Sequence, residues 1–319
     1  MTGEGRGMNF RRLQYFVKIV DVGSLTQAAA ILHVAQPALS QQIVTLEAEV
    51  RQQLLVRTKR GVTPTAAGTA LYRHAQLILR QVEQAQTDMK AAGLGMSGAV
   101  SIGLAPGTAA AELAVPLLRT VRGQHPGIVL YLNETYGTTL SELIMTGRMD
   151  LAVLYGGTTA MHGLSFQLLL LEPLFLVGPQ AMERPGETVK LQDIVDLELF
   201  LPRPYNIVRK MVNDACAGSG LAPHVVAEIE SDRTLTAVID EGLGATILPE
   251  SMSRRVAGAT AAWRSRIVEP SIEVPLALCQ SDHLPLSEPA QVVKDILIEL
   301  AGNLPGAQLK PVRRKSYRT

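Results

Sequence analysis

The stretch "SLTQAAAILHVAQPALSQQIVTLEAEV", Ser24 to Val50, decides the fold of the N-terminal part of the chain. Leu25, Ala28, Ala29 and Leu32 recur at i, i+3, i+4 and i+7, the buried stripe of a short helix. Ser24 stands at the N-cap position, where its hydroxyl accepts from a first-turn backbone N–H. After Val34 the phase restarts, and Leu39, Ile43, Leu46 and Val50 step by four, three and four. Pro37 falls in the first turn of this second helix, where its missing N–H does no harm. The connection "HVAQ" is so short that the helices must cross steeply, and the small Ala28, Ala29 and Ala30 let them approach. The spacing predicts a helix-turn-helix.

The whole stretch contains no Lys or Arg. The outward face of its second helix offers Gln36, Pro37, Ala38, Ser40, Gln41 and Thr45. Glutamine pairs with adenine through two hydrogen bonds, hydroxyls serve several base edges, and alanine meets the thymine methyl. A neutral tip suits base edges, so attraction to phosphate must come from the flanks. Arg11, Arg12 and Lys18 precede the stretch, and "LLVRTKRGVTPT" sets Arg57, Lys59 and Arg60 around Gly61 like the wing of a winged helix. The alternative is an ordinary helical hairpin with a solvated Gln-rich face. The basic flanks and the positions of Pro37 and Gly61 argue against it.

Charge along the chain agrees with a single polyanion-binding end. Residues 1–93 carry 11 Lys and Arg against 6 Asp and Glu, whereas residues 94–309 carry 14 against 23. Lys310, Arg313, Arg314, Lys315 and Arg318 then form a basic tail. With 319 residues, 47 % of them apolar and 18 % charged, two or three packed units are expected and wholesale disorder is not. "MTGEGRGMNF" lacks the apolar segment of a signal peptide, and Met8 reads as the natural start, with residues 1–7 an extension. Apolar runs such as "LLLL" (Leu168–Leu171) are too short to span a bilayer. Cys216 and Cys279 have no neighbour at redox or metal spacing, which reads as reduced thiols in a cytoplasmic protein.

Beyond Ala66, the residues Leu71, Ala75, Ile78, Val82, Ala85 and Met89 step by four and three, a heptad seam that predicts pairing with a second copy. Packing of this helix on its own head is the alternative. Gly93, Gly95 and Gly98 spell G-x-G-x-x-G, but the pattern follows a helix and opens the strand "AVSIGLA", the reverse of a dinucleotide fingerprint, and reads as a hinge. Strand-like runs then alternate with helices. "AVSIGLA", "GIVLYLNE" and "MDLAVLYG" flank helices near Ala109–Gln124 and Thr139–Thr146; "LFLVGP", "LELFLP", "HVVAEIE" and "ATILP" follow, with a helix near Leu235–Glu241. "IEVPLALCQ" and a last helix near Leu286–Ala301 return the chain to the first set. Two α/β lobes joined by two crossings result, with a cleft at strand ends and helix N-termini.

From Leu13 to Gly68 the chain resembles the DNA-binding head of LysR-type transcriptional regulators. S-x-x-x-A-A, Q-P-A-L-S-x-Q-I, L-E, L-L-x-R and T-x-A-G stand in order. Within the family, "MNFRRLQYFVKIVDVGSLTQAAAILHVAQPALSQQ" and "SIGLAPGTAA" point toward control of nitrogen-assimilation genes. The resemblance implies a winged helix-turn-helix (8–65), a linker helix (66–93) in an antiparallel coiled coil, and a two-lobed, periplasmic-binding-protein-like α/β effector domain (94–303). Lobe I would be 94–161 with 267–303, lobe II 162–266, and 304–319 a tail. Ser24 belongs to the DNA-binding motif. Effector loops carry over onto "APGT" with Thr108, "TYGTT" with Gly137 and Thr138, "PRPYN" with Pro202 and Tyr205, and "ESDRT" with Ser231. The first loop is slightly longer than the family spacing. Hydroxyls at helix N-termini would suit a carboxylate-like effector.

Expected partners are double-stranded promoter dyads, a second copy or copies of the chain, RNA polymerase and a small-molecule effector, with no membrane and no cofactor. Two heads on successive major-groove faces, roughly 34 Å apart, would read an interrupted palindrome. No G-x-S-x-G, Walker loop or H-E-x-x-H stands in the chain, and the six histidines lack metal spacing, so neither catalysis nor a metal is expected. A small-molecule binder whose head serves only to oligomerise is the competing reading.

Overall fold

The computed structural model describes residues 9–58, 61–91, 96–157 and 161–305. They belong to two compact units, one of residues 1–94 with 146–148 and one of the remainder. The extension at 1–7, Gly93, Gly95 and the basic residues beyond 305 lie outside the described residues.

The first unit contains α1 (Phe10–Val22), α2 (Leu25–Ile31), α3 (Gln36–Val50), the antiparallel hairpin β1 (Leu55–Thr58) and β2 (Gly61–Pro64), and α4 (Ala66–Ala91). Its helix ends are set by the caps that the sequence supplies. Asn9 accepts from the Arg11 N–H and Ser24 from the Gln27 N–H, while Gly23, at φ 67°, ends α1 in the left-handed region. Phe16, Ile19, Ala28, Leu39, Ile43 and Leu46 make one core between the three helices. Complete burial of each larger side chain stabilises by about 1.5–3 kcal/mol. Two contacts dock the wing. Glu47 Oε1 accepts from the Leu54 and Leu55 N–H groups at 2.8 and 3.1 Å, and the Val62 N–H donates to the Gly23 carbonyl at 2.8 Å. Gly61 is needed there: at φ +130° a Cβ would lie 2.6 Å from the Gly23 carbonyl oxygen.

The second unit has β3 (Ser97–Leu104), α5 (Ala110–Gln124), β4 (Gly127–Glu134), α6 (Gly137–Met145), β5 (Leu151–Tyr155), β6 (Leu164–Gly178) and β7 (Thr188–Lys190). Then come β8 (Leu199–Leu201), α7 (Ile207–Gly218), β9 (Val225–Glu228), α8 (Asp232–Asp240), β10 (Thr246–Pro249), α9 (Glu250–Ala259), β11 (Trp263–Val268), β12 (Glu273–Ser281) and α10 (Glu288–Ala301). The main sheet runs β4-β3-β5-β12-β6-β11-β7, with β10 also on β6, and β8 pairs β9 in a separate ribbon. β3 is parallel to both β4 and β5, as the alternation of strand and helix requires. β12 and β6 lie antiparallel, so the sheet is mixed.

β6 differs from the expectation. "LFLVGP" covers only its end; the strand begins at Leu164 and crosses from one lobe to the other. Its first part pairs β12 as far as Pro173, and Leu174–Gly178 pairs β10 and β11. The passage from one lobe to the other, expected between residues 161 and 162, lies instead within this strand, near Pro173. Each lobe has its own core. One is built on Ile102, Leu113, Leu117, Val153, Leu278 and Leu297, the other on Leu176, Leu199, Val212, Ile247 and Ile267.

Candidate functional site

α3 carries the outward face of the first unit. Leu39, Ile43 and Leu46 point inward, which turns Pro37, Ala38 and Gln41 to solvent and leaves Gln36 and Ser40 half-buried. Ser24 lies at the start of α2, where its hydroxyl oxygen caps the helix by accepting the Gln27 N–H. Arg57 on β1 reaches α3, where its Nη2 donates to Ser40 Oγ at 2.8 Å. Arg11 is exposed on the first turn of α1. Lys59 and Arg60 lie outside the described residues.

Two side chains named with this face are occupied within the unit. Arg12 donates to Gln42 Oε1 at 3.0 Å and forms an ion pair with Glu49, which neutralises its charge. The Thr45 hydroxyl donates to the Gln41 carbonyl at 2.9 Å. Sequence reasoning passed over Val44, which is 48 % exposed one turn beyond Gln41. Its departure from the Leu39/Ile43/Leu46 stripe was the available signal. An apolar side chain in that place matches a thymine methyl.

On α4 the predicted seam divides in two. Leu71 packs on the head core and Ala75 is buried, whereas Val82 is half-buried, Ala85 is exposed, and Ile78 and Met89 are 43 % and 69 % exposed. The Tyr72 hydroxyl donates to Asp21, and burial followed by this carboxylate pushes its pKa up to about 12.

In the second unit, a cavity of about 470 Å³ lies between the lobes. Thr108, Gly137, Thr138, Pro202, Tyr205 and Ser231, which the sequence places far apart, all line it. The hydroxyl of Thr108 is already committed. It donates to the Ala105 carbonyl at 2.8 Å and accepts the Ala110 N–H at 3.0 Å, so its one proton is spent on the loop. Asn206 caps α7 by accepting from the Val208 N–H, and Ser231 caps α8 by accepting from the Thr234 N–H.

A buried carboxylate stands behind this cavity. Glu172, on β6 and only 3 % exposed, accepts the Ala109 N–H at 3.3 Å and the Ser251 N–H at 2.9 Å. It also accepts a hydrogen bond from the Tyr155 hydroxyl, whose own pKa burial and then the Glu172 charge drive well above the usual phenol value. One side chain thus neutralises the starts of α5 and α9, where helix dipoles and unpaired N–H groups favour negative charge. Sequence reasoning missed it because Glu172 sits in an apolar run with no acidic or basic neighbour.

Among the described residues no helix is long and apolar enough to cross a membrane, and no cluster of His, Cys, Asp or Glu is arranged to hold a metal. Two family models match the chain: "Bacterial regulatory helix-turn-helix protein, lysR family" over residues 10–69 and "LysR substrate binding domain" over 94–302. The nitrogen assimilation regulatory proteins nac of Klebsiella aerogenes and of Escherichia coli (strain K12) are each 52 % identical to it over 293 residues, covering 92 % of this chain and 95 % of each relative. Full-length CbnR, solved in complex with its target DNA, shares the fold with a TM-score of 0.64 at 24 % identity, covering 92 % of this chain and all of that one. The chain belongs to the LysR family and is a DNA-binding transcriptional regulator whose helix-turn-helix head is joined to a two-lobed substrate-binding domain.

Proposed function

We propose that the protein controls genes of nitrogen assimilation by binding interrupted-palindrome promoter sites as a homodimer or homotetramer, inside the cytoplasm where the DNA is. The observation that carries this reading is the 52 % identity to the nac proteins over nearly their whole length. Gln36, Pro37, Ala38, Ser40 and Gln41 read base edges, and Arg11, Arg57, Lys59 and Arg60 hold phosphates. The exposed, uncharged face of α3 with Arg57 beside it supports that division of labour. Exposed Ile78 and Met89 support pairing through α4. From the promoter, the bound oligomer touches RNA polymerase or blocks it, and the cleft between the lobes takes the effector.

Sequencing the DNA that co-purifies with the protein from cells tests the reading. Dyads with half-sites about one helical turn apart, beside genes for nitrogen uptake or use, are expected. Recovery of random genomic fragments would refute sequence-specific regulation. Dyads beside unrelated genes would retain the regulator and remove the nitrogen assignment.

A further inference from the structure

The exposed face of α3 is poor in hydrogen-bonding groups. Between Gln36 and Ala48 the side chains open to solvent are Pro37, Ala38, Gln41, Val44 and Ala48, and of these only Gln41 can hydrogen-bond. Most other polar side chains of the helix are engaged within the head. The Thr45 hydroxyl donates to the Gln41 carbonyl, Ser40 Oγ and Gln42 Oε1 accept from Arg57 and Arg12, Glu47 accepts the Leu54 and Leu55 N–H groups, and Glu49 pairs with Arg12. Val44, 48 % exposed, is the bulkiest apolar side chain on this face. Resting on the reading of α3 as the helix that meets base edges, we propose that Val44 determines specificity: its methyl groups pack on the 5-methyl group of a thymine in the operator half-site, next to the base pair that Gln41 reads.

Position and chemistry both lead there. Gln41 and Val44, three residues apart, share one side of the helix and are separated by about 4.5 Å along its axis. Successive base pairs are spaced by about 3.4 Å, so with α3 lying along the groove the two side chains meet base pairs one step apart. Arg57, bonded to Ser40, marks the side on which a phosphate backbone passes. Val44 follows Ser40 by one turn on the same face, so it stays within the part of α3 that a duplex covers. A lone exposed valine is ordinary on a free surface. Against a major groove it has two outcomes. The thymine methyl is the one apolar group that a base pair presents there, and covering it is favourable. Every other edge is a donor or an acceptor, which an aliphatic side chain strips of water without replacing the hydrogen bond. Val44 therefore favours thymine and penalises the other bases at that position.

Removal of a single methyl group from the DNA provides the test. The operator is taken from duplexes that the full-length protein selects from a random-sequence pool, and each thymine of the half-site is replaced in turn by deoxyuridine, which pairs identically but lacks the methyl. At one position, beside the base pair whose discrimination Gln41→Ala relaxes, affinity is expected to fall about fourfold per half-site, the worth of one covered methyl group. Val44→Ala should bind the thymine operator several-fold more weakly and make no distinction between thymine and deoxyuridine there. A loss found at no position, or one that persists undiminished in Val44→Ala, would overturn the assignment of Val44, while relaxed discrimination in Gln41→Ala would still keep α3 as the reading helix. A coupled loss at a position not adjacent to the Gln41 base pair would overturn the register. A pool that yields no preferred sequence would overturn sequence-specific reading itself, and the Val44 contact with it.

Discussion

Gln41 is exposed on the second turn of α3 and is followed by the exposed Val44, so a single substitution can separate reading from gripping. Gln41→Ala should lower discrimination at one base pair by about 1–3 kcal/mol. Its signature is a changed ratio of affinities for the operator and a scrambled duplex; an unaltered ratio would remove Gln41 from the base contacts. Arg57→Ala should weaken binding to both duplexes alike and flatten the plot of log affinity against log salt by about 0.9 for the one phosphate lost. A slope equal to that of the parent would confine Arg57 to its bond with Ser40. Glu172 works differently, since it serves three buried donors at once. Glu172→Ala leaves the Ala109 and Ser251 N–H groups and the Tyr155 hydroxyl unpaired, at about 1–3 kcal/mol for each buried group. Urea unfolding should show the second unit destabilised and the first unchanged, and a shift within error would show that water replaces the carboxylate. The exposed face of α3 was legible in the sequence because period and phase reveal which side of a helix is free. Glu172 was not, because its role depends on two helix starts far away in the chain, and neither did the sequence disclose that Thr108 spends its proton on Ala105.

Among the elements, those with a clean period were foreseen closely. α3 begins at Gln36, β4 occupies Gly127–Glu134, and α10 ends at Ala301. β6 escaped because its alternation is broken. Leu276 pairs Leu170 and Ala277 pairs Leu168, leaving Leu169 as an extra residue, so Leu169 and Leu170 are both buried while Leu168 is exposed. A β-bulge of this kind turns an alternating strand into what looks like a uniform apolar run. α9 escaped for the opposite reason: in "ESMSRRVAGA" only Met252 and Val256 supply large apolar contacts. Pro249 before it and Glu250 in its first turn were the signals available. The two cysteines sit deep in such elements, Cys216 on α7 and Cys279 on β12, and both are free. Burial raises both thiols, that of Cys279 to about 12 against an ordinary 9.0. Between those values the unfolded chain ionises first, so this group's contribution is intact below pH 9 and declines as pH rises through the folded value. Native protein at pH 8 should therefore resist an aromatic disulfide reagent, and denaturant should release two reactive thiols. Rapid labelling without denaturant would contradict the burial.

For the whole molecule the open question is what α4 meets beyond its own head. The seam was drawn from one repeat, yet its two ends have different surroundings: Leu71 packs on the core of the head and Ala75 is buried, while Ile78, Ala85 and Met89 are exposed and Val82 is half-buried. A monomer gains nothing from exposing Ile78 and Met89, whereas a second α4 laid against them removes both from water and adds about 1.5–3 kcal/mol for each side chain fully covered. Pairing also changes recognition, because a second head already tethered to the operator binds at high effective concentration. The double variant Ile78→Glu, Met89→Glu should sediment as a monomer with an unaltered head, since neither side chain belongs to the head's core. Its affinity for a full dyad should fall by about 100-fold or more, while affinity for an isolated half-site stays the same. Sedimentation equilibrium and titration of the two duplexes read these outcomes separately. A variant that remained dimeric and kept its dyad affinity would show that self-association does not run through this stripe of α4, and the search would move to the exposed Val115, Leu118, Val129 and Tyr131 on α5 and the edge strand β4.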